Sequence, residues 1–241
     1  MILLLAGTSE ARDIAHALAA GGFAATASLA GATREPAPLA VPTRHGGFGG
    51  AAGFTSVLED LGVTAIIDAT HPFAARISQR TQSIAAARGL PYLQVLRPAW
   101  APRPDDRWHM VTREEEVATL VPVGATAFLA TGRQTLSRFA NMTGRTLYCR
   151  QIDPPDGAFP FAGGSYVIGR PPFTVEDEIE TFTRLDVDWL VVKNAGGAAS
   201  ATKLEAARLL RKRVAMIDRP TQPPGDKAID VDEALAWVAA L

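Results

Sequence analysis

Short apolar runs without alternation recur along this chain, and each ends in glycine or small polar residues that open a helical stretch. In MILLLAGTSEAR the run over 2–6 stops at Gly7-Thr8-Ser9-Glu10, after which Ile14 and Leu18 recur at helical spacing as far as Gly21-Gly22. A run that is apolar on both sides of the pleat must be buried on both faces, which is the environment of a parallel strand covered by helices. Further strands are expected over 24–29, 39–44, 63–67 and 92–96, with helices over 54–61 and 73–88. Prolines 98, 102 and 104 mark a boundary, beyond which the rhythm restarts. Strands are expected there over 109–111, 126–129, 146–150 and 214–217, with a strand running into a glycine turn over 188–197. Helices are expected over 113–120, near 136–141, and over 174–185, 202–212 and 231–241. Residues 153–164, DPPDGAFPFAGG, are too rich in proline and glycine for regular structure and read as a mobile loop. Strands alternating with helices imply right-handed crossovers and mainly parallel sheets, so the expected class is α/β. Two halves are expected, 1–97 and 98–241, with no sequence repeat linking them.

Composition narrows the partners. Lysine plus arginine (24) nearly balances aspartate plus glutamate (25), so nothing global favours nucleic acid. A single cysteine, Cys149, excludes an internal disulfide and suits a reduced, cytoplasmic protein. No apolar run approaches a membrane span, and the opening run is too short for a signal segment. His16, His45, His71 and His109 show no ligand-pair spacing, so no metal is expected.

Polar and glycine residues gather after the expected strands, the edge where open α/β sheets bind ligands. Gly7 permits a tight turn, Thr8 or Ser9 can cap the next helix, and Glu10 falls in its first turn. Free amides there attract phosphate, although a simple capped helix explains the stretch equally well. After the second strand, SLAGATR offers Ser28, Gly31 and Arg34 where a dinucleotide ribose would rest. A hydroxyl with a guanidinium, and no acid, suits a 2′-phosphate and hence NADP over NAD; Arg34 is otherwise a solvated loop residue. In HGGFGG, Gly47 and Gly49 flank Phe48, which suits either close approach of a cofactor or a flexible turn. DATHPFA presents Thr70, and His71 as proton donor, anion contact or helix-start residue. The second half carries Arg133, Arg150, Arg170, Lys193 and Lys203 near expected turns, a receptacle for a polyanion if gathered at one edge and a solvated set otherwise. Three function classes remain: a reductase acting on a polycarboxylate, a reductase of another carbonyl or alkene, and a non-catalytic nucleotide sensor. The Tyr-x-x-x-Lys pair of short-chain dehydrogenases is absent.

Taken in order, LLAGTSEAR, SLAG, GGFGG, DATHPFAARIS, TGRQ, IGRPPFTVEDE, VVKNAGG, TKLEAAR and IDRP resemble the precorrin-6A reductases of cobalamin biosynthesis. The resemblance runs from residue 3 to 220. It implies two Rossmann-like domains lacking the usual glycine fingerprint, with exchange of the last strands between their sheets. It also implies NADPH on one domain, here 1–97, and a tetrapyrrole with many carboxylates on the other. The implied reaction reduces one ring double bond of precorrin-6A to give precorrin-6B; related enzymes act on the cobalt-containing ring. Arg12 and Arg76, within the matching stretches, join the five second-half cations as candidate substrate contacts. His71 is the candidate proton donor, and the next enzyme of the pathway is a candidate partner.

Overall fold

Every residue of β1 (Ile2–Ala6) is buried, as its unbroken apolar run requires. The computed structural model describes residues 1–31 and 37–241 of the chain. Among these, the chain divides into two compact units, 1–98 with 220–241, and 99–219.

The first unit holds β1, β2 (Ala25–Leu29), β3 (Thr43–His45), β4 (Ala65–Asp68) and β5 (Tyr92–Val95), with α1 (Ser9–Ala20), α2 (Ala51–Asp60) and α3 (Ala75–Ala87) in the crossovers. The second holds β6 (Arg107–Val111), α4 (Val117–Leu120), β7 (Thr126–Leu129), β8 (Thr146–Gln151), β9 (Gly164–Ile168), α5 (Val175–Arg184), β10 (Trp189–Lys193), α6 (Thr202–Leu209) and β11 (Arg213–Ile217). β12 (Asp226–Ala228) and α7 (Val231–Ala239) complete the chain. All strand pairings are parallel, in two six-stranded sheets ordered β12-β5-β4-β1-β2-β3 and β6-β11-β10-β7-β8-β9.

The two orders are the same once the strands are counted from β1 and from β7. In each, a first strand is flanked by the second and third on one side and by the fourth and fifth on the other. The sixth place is exchanged. β6, which follows β5, pairs with β11; β12, which follows β11, pairs with β5. The Rossmann-like α/β class is therefore realised with the strand exchange that the family resemblance implies. A single division at residue 98 would leave 220–241 with the second half, whereas these residues complete the first sheet.

Burial follows the crossovers. Ile14 and Leu18 of α1 pack with Ala234 and Val238 of α7 over one face of the first sheet. Phe54 and Leu58 of α2, with Ala85 of α3, cover the other. In the second sheet Phe128 meets Phe182 of α5 edge-on, ring centroids 5.2 Å apart, within a cluster that includes Leu204 and Ala207 of α6. No helix among the described residues is long and apolar enough to cross a membrane.

Most departures from expectation fall at the sheet edges. β3 begins at residue 43 rather than 39 because Pro38 and Pro42 cannot donate to the ladder. β9 and β12 were not expected from the pattern; both are edge strands, short or lined with glycine and polar residues. The helix expected near 136–141 is a 3₁₀ turn over Arg133–Phe139.

Candidate functional site: two carboxyl-edge crevices

A sheet of this order reverses direction between its first and fourth strands, and the crevice beyond their carboxyl ends is the ordinary ligand position. In the first sheet it lies between β1 and β4. Thr8 is the N-cap of α1: its hydroxyl accepts from Ala11 N (3.2 Å) and donates to the Ala69 carbonyl (2.8 Å). The cap thus ties the loop after β1 to the loop after β4. Gly7 lines the same place, since a Cβ on it would meet Thr70 Cα at 3.8 Å and His71 N at 3.9 Å. Ser9 donates to Glu10 (3.2 Å), and Glu10 pairs with Arg97 at 2.7 Å. Burial raises the Glu10 carboxyl pKa, but its backbone hydrogen bond and Arg97 outweigh this and hold it below its usual value. Glu10 is therefore an anion already neutralised by Arg97.

Beyond β4, buried Asp68 accepts from Thr70 N (3.1 Å), Thr70 Oγ1 (2.7 Å) and Tyr92 Oη (2.9 Å). Burial, then the Asp68 charge, keeps the Tyr92 phenol protonated well above its ordinary range. Thr70 is fixed by this cluster. His71 Nδ1 accepts from Phe73 N at 3.2 Å, so in the neutral ring the proton sits on Nε2.

Arg34 lies outside the described residues, and Gly31 ends the described segment with φ +79°. Ser28 is buried, and its partner is Arg44 of β3, directly across the ladder, whose Nη1 donates to Ser28 Oγ at 2.8 Å. Arg44 also donates to the carbonyls of Gly46 (3.2 Å) and Gly47 (3.3 Å), and its guanidinium lies 4.2 Å from the Phe48 ring centre. Arg80 of α3 lies 5.9 Å from the same ring, with a buried Nε that has no hydrogen-bond partner. The turn over Gly49 and Gly50 (φ +69° and +101°) seats Phe48 against Phe54, ring centroids 4.7 Å apart. Reading the sequence missed Arg44 and Arg80. The signal for Arg44 is its place in an expected third strand that follows a strand with serine next to last.

In the second sheet the equivalent crevice lies between β7 and β10. The five cations expected there do lie at or just beyond the carboxyl ends of β7 to β10, but each already faces an anion or a carbonyl. Arg133 is 3.9 Å from Asp156 and Arg170 is 3.7 Å from Asp153, both in the 153–164 loop. Lys193 is 3.7 Å from Glu114. Burial lowers the Lys193 ammonium pKa more than Glu114 raises it. Arg150 pairs at 2.6 Å with Glu178, which is fully buried, and is flanked by Phe173 and Phe128. Arg133 and Gln151 line a pocket of ≈ 610 Å³ together with Pro155, Phe161 and Tyr166. Arg12 and Arg76 are exposed on α1 and α3 in the first unit, not the second. Burial pushes the Cys149 thiol up to about 11, so it is no nucleophile at neutral pH. Among the described residues, no three His, Cys, Asp or Glu side chains converge to hold a metal.

Lys203, at the start of α6, donates to the Ser200 carbonyl (2.7 Å). Burial lowers its ammonium to about 8, against Glu178, which raises it; Arg150 lowers it further. A lysine depressed in the folded state is charged at a cost below that value, and the cost disappears as pH rises toward the unfolded value. Lys203 should therefore make folding stability increase between about pH 8 and pH 10.5. Urea unfolding across that window should show the increase in the parent and not in Lys203→Met; parallel profiles would contradict it.

The precorrin-6x reductase CbiJ/CobK family model matches residues 1–239. The chain is 43% identical over 243 residues to a precorrin-6A reductase of Rhodococcus erythropolis, covering 100% of this chain and 98% of that one. It is 40% identical to a precorrin-6A reductase of Rhodobacter capsulatus, covering 99% and 95%. A solved structure of CobK precorrin-6A reductase superposes with a TM-score of 0.95 at 39% identity, covering 99% of this chain and 96% of that one. The strand order, the exchanged sixth strands and these full-length similarities agree, and the chain belongs to the precorrin-6x reductase CbiJ/CobK family.

Proposed function

We propose that this protein is a cytoplasmic precorrin-6A reductase, which takes NADPH and releases precorrin-6B in cobalamin biosynthesis. The observation that carries this reading is the full-length similarity to relatives named for that reaction, with no substantial part of either chain left over. NADPH held by the first unit would supply a hydride for one carbon of a ring double bond, and the neighbouring carbon would take a proton. The residues present suit such a cofactor. The β1–α1 turn offers helix N-terminal amides for a pyrophosphate, and Ser28 and Arg44 stand where an NAD site would present an acid.

The chain's own contribution is mainly position and charge. Thr8 and Asp68 hold the two loops of the first crevice in one arrangement, which favours a fixed approach geometry. His71, its Nδ1 occupied by Phe73 N, has Nε2 as the atom that would carry a proton. The second unit takes the tetrapyrrole carboxylates, with Arg133 and Arg170 as the most exposed of its expected cations.

The test is anaerobic nicotinamide oxidation with precorrin-6A and, separately, its cobalt complex, using NADPH and NADH. Turnover of the metal-free ring with NADPH, weakened by Ser28→Asp, is expected; the aspartate would engage Arg44 and repel a phosphate. Turnover confined to the cobalt complex would move the substrate to the metal-containing branch. No oxidation with either ring would contradict the reading.

A further inference from the structure

We infer that Arg44, with Arg80 beside it, reads the 2′-phosphate of the cofactor and sets the preference for NADPH. The inference rests on the NADPH reading above and gives Arg44, beside Ser28, the role expected of Arg34, which lies outside the described residues. Three observations support it.

Position is the first. Arg44 lies across the ladder from Ser28, next to last in β2, where the adenosine ribose of a dinucleotide rests in a sheet of this order. The second is the donor set. Among the described residues, neither Arg44 nor Arg80 faces a carboxylate, although both guanidiniums share the Phe48 ring. Both Nη1 protons of Arg44 and one on Nη2 are used by Ser28, Gly46 and Gly47. Among the described residues no acceptor meets Nε–H or the second Nη2–H, and a guanidinium presents these two donors to phosphate oxygens. Arg80 adds a buried Nε without a partner. A guanidinium cannot escape by losing its proton, so such a pair is completed by an anion.

The third observation is the contrast between the sheets. In the second sheet β8, the counterpart of β2, carries Arg150 where β2 carries Ser28, and fully buried Glu178 neutralises it. In the first sheet the arginine sits one strand over, on β3, and among the described residues it meets no carboxylate. The Ser28, Gly46 and Gly47 contacts and the Phe48 stack hold Arg44 in place before any ligand arrives, which reduces the ordering cost of binding.

Calorimetric binding of 2′,5′-ADP and 5′-ADP to the full chain tests this without substrate. The parent should prefer 2′,5′-ADP. Arg44→Gln should weaken 2′,5′-ADP by about 10- to 100-fold while changing 5′-ADP by less than about threefold, as expected for loss of charge-assisted bonds. Arg44→Lys should recover part of the loss, and Arg80→Gln should show a smaller loss of the same selectivity. Equal weakening of both nucleotides in Arg44→Gln and Arg44→Lys would mean a structural role and overturn the inference. So would tight 2′,5′-ADP binding that ignores both arginines, which would leave the NADPH reading standing. A parent chain that binds neither nucleotide would overturn the inference and the cofactor assignment together.

Discussion

Glu178→Leu should lower the unfolding free energy by about 3–5 kcal/mol in urea titrations, the range for stripping one partner from a buried ion pair. The expected effect exceeds that of Arg150→Met. Glu178 is the one anion between two cations: its Oε1 takes Arg150 Nη1 at 2.6 Å, and its charge raises the Lys203 pKa against burial. Its loss leaves Arg150 between Phe128 and Phe173 with no counter-charge. Lys203 can shed its proton, whereas Arg150 cannot. Removing Arg150 instead leaves Glu178 the Lys203 charge. The double variant Arg150→Met/Glu178→Leu should regain most of the loss, because a buried pair and its apolar replacement are often close in energy. A Glu178→Leu midpoint equal to the parent's would show that water reaches the cluster and that the pair is not buried in solution.

The second large effect is expected from the smallest substitution. A Cβ on Gly53 in α2 would lie 1.9 Å from the Phe48 carbonyl oxygen, a backbone atom that cannot turn aside. Gly53→Ala must push the loop over 46–50 off the helix. That loop supplies the Gly46 and Gly47 carbonyls and the Phe48 ring that hold Arg44. A stability loss of about 1–3 kcal/mol is expected for such overpacking, together with roughly tenfold weaker NADPH binding from the displaced arginine. Gly164→Ala is the comparison. Its Cβ would lie 2.0 Å from Phe159 Cε1, but that ring is a side chain of the second unit and can rotate away. NADPH titrations should separate the two variants; unchanged affinity in Gly53→Ala would mean that the loop does not carry the cofactor contact.

The interior of both sheets was legible because a strand buried on both faces has little choice of composition. β1, β4, β7 and β10 were recognised from unbroken apolar runs, and their neighbours from spacing. The edges are less so: β9 and β12 carry no strand pattern and β3 starts later than its run suggests, because a strand with one free side tolerates glycine, serine, lysine and aspartate. The return of 220–241 to the first sheet has no local signal, because DKA is three residues long and follows Pro223-Pro224-Gly225. The exchange came from family resemblance rather than from pattern. The shared strand order of the two units likewise leaves no sequence repeat, since the order is set by crossovers and burial rather than by particular side chains.

The site divides in the same way. Loops after strands were correctly found as the polar edge, because glycine and hydroxyl residues there follow from turn and cap geometry. Thr8 and Thr70 carry such roles, and their hydroxyl protons go to Ala69 and Asp68. Which cations retain free donors was not readable. Arg150 and Arg44 look alike in sequence, each near a strand end, yet Glu178 reaches Arg150 from 28 residues away while no carboxylate among the described residues reaches Arg44. Only the packing of α5 distinguishes them.

Because the two sheets share one strand order, each has a crevice of the kind that binds dinucleotides, and the account assigns the cofactor to the first. Hydrogen–deuterium exchange with NADPH alone tests that assignment most directly. With the cofactor on the first sheet, exchange should slow at 7–11, 28–31, 44–50 and 68–74, with little change at 130–137 and 193–203. Protection at 130–137 and 193–203 without protection in the first unit would put the cofactor on the second sheet and contradict it.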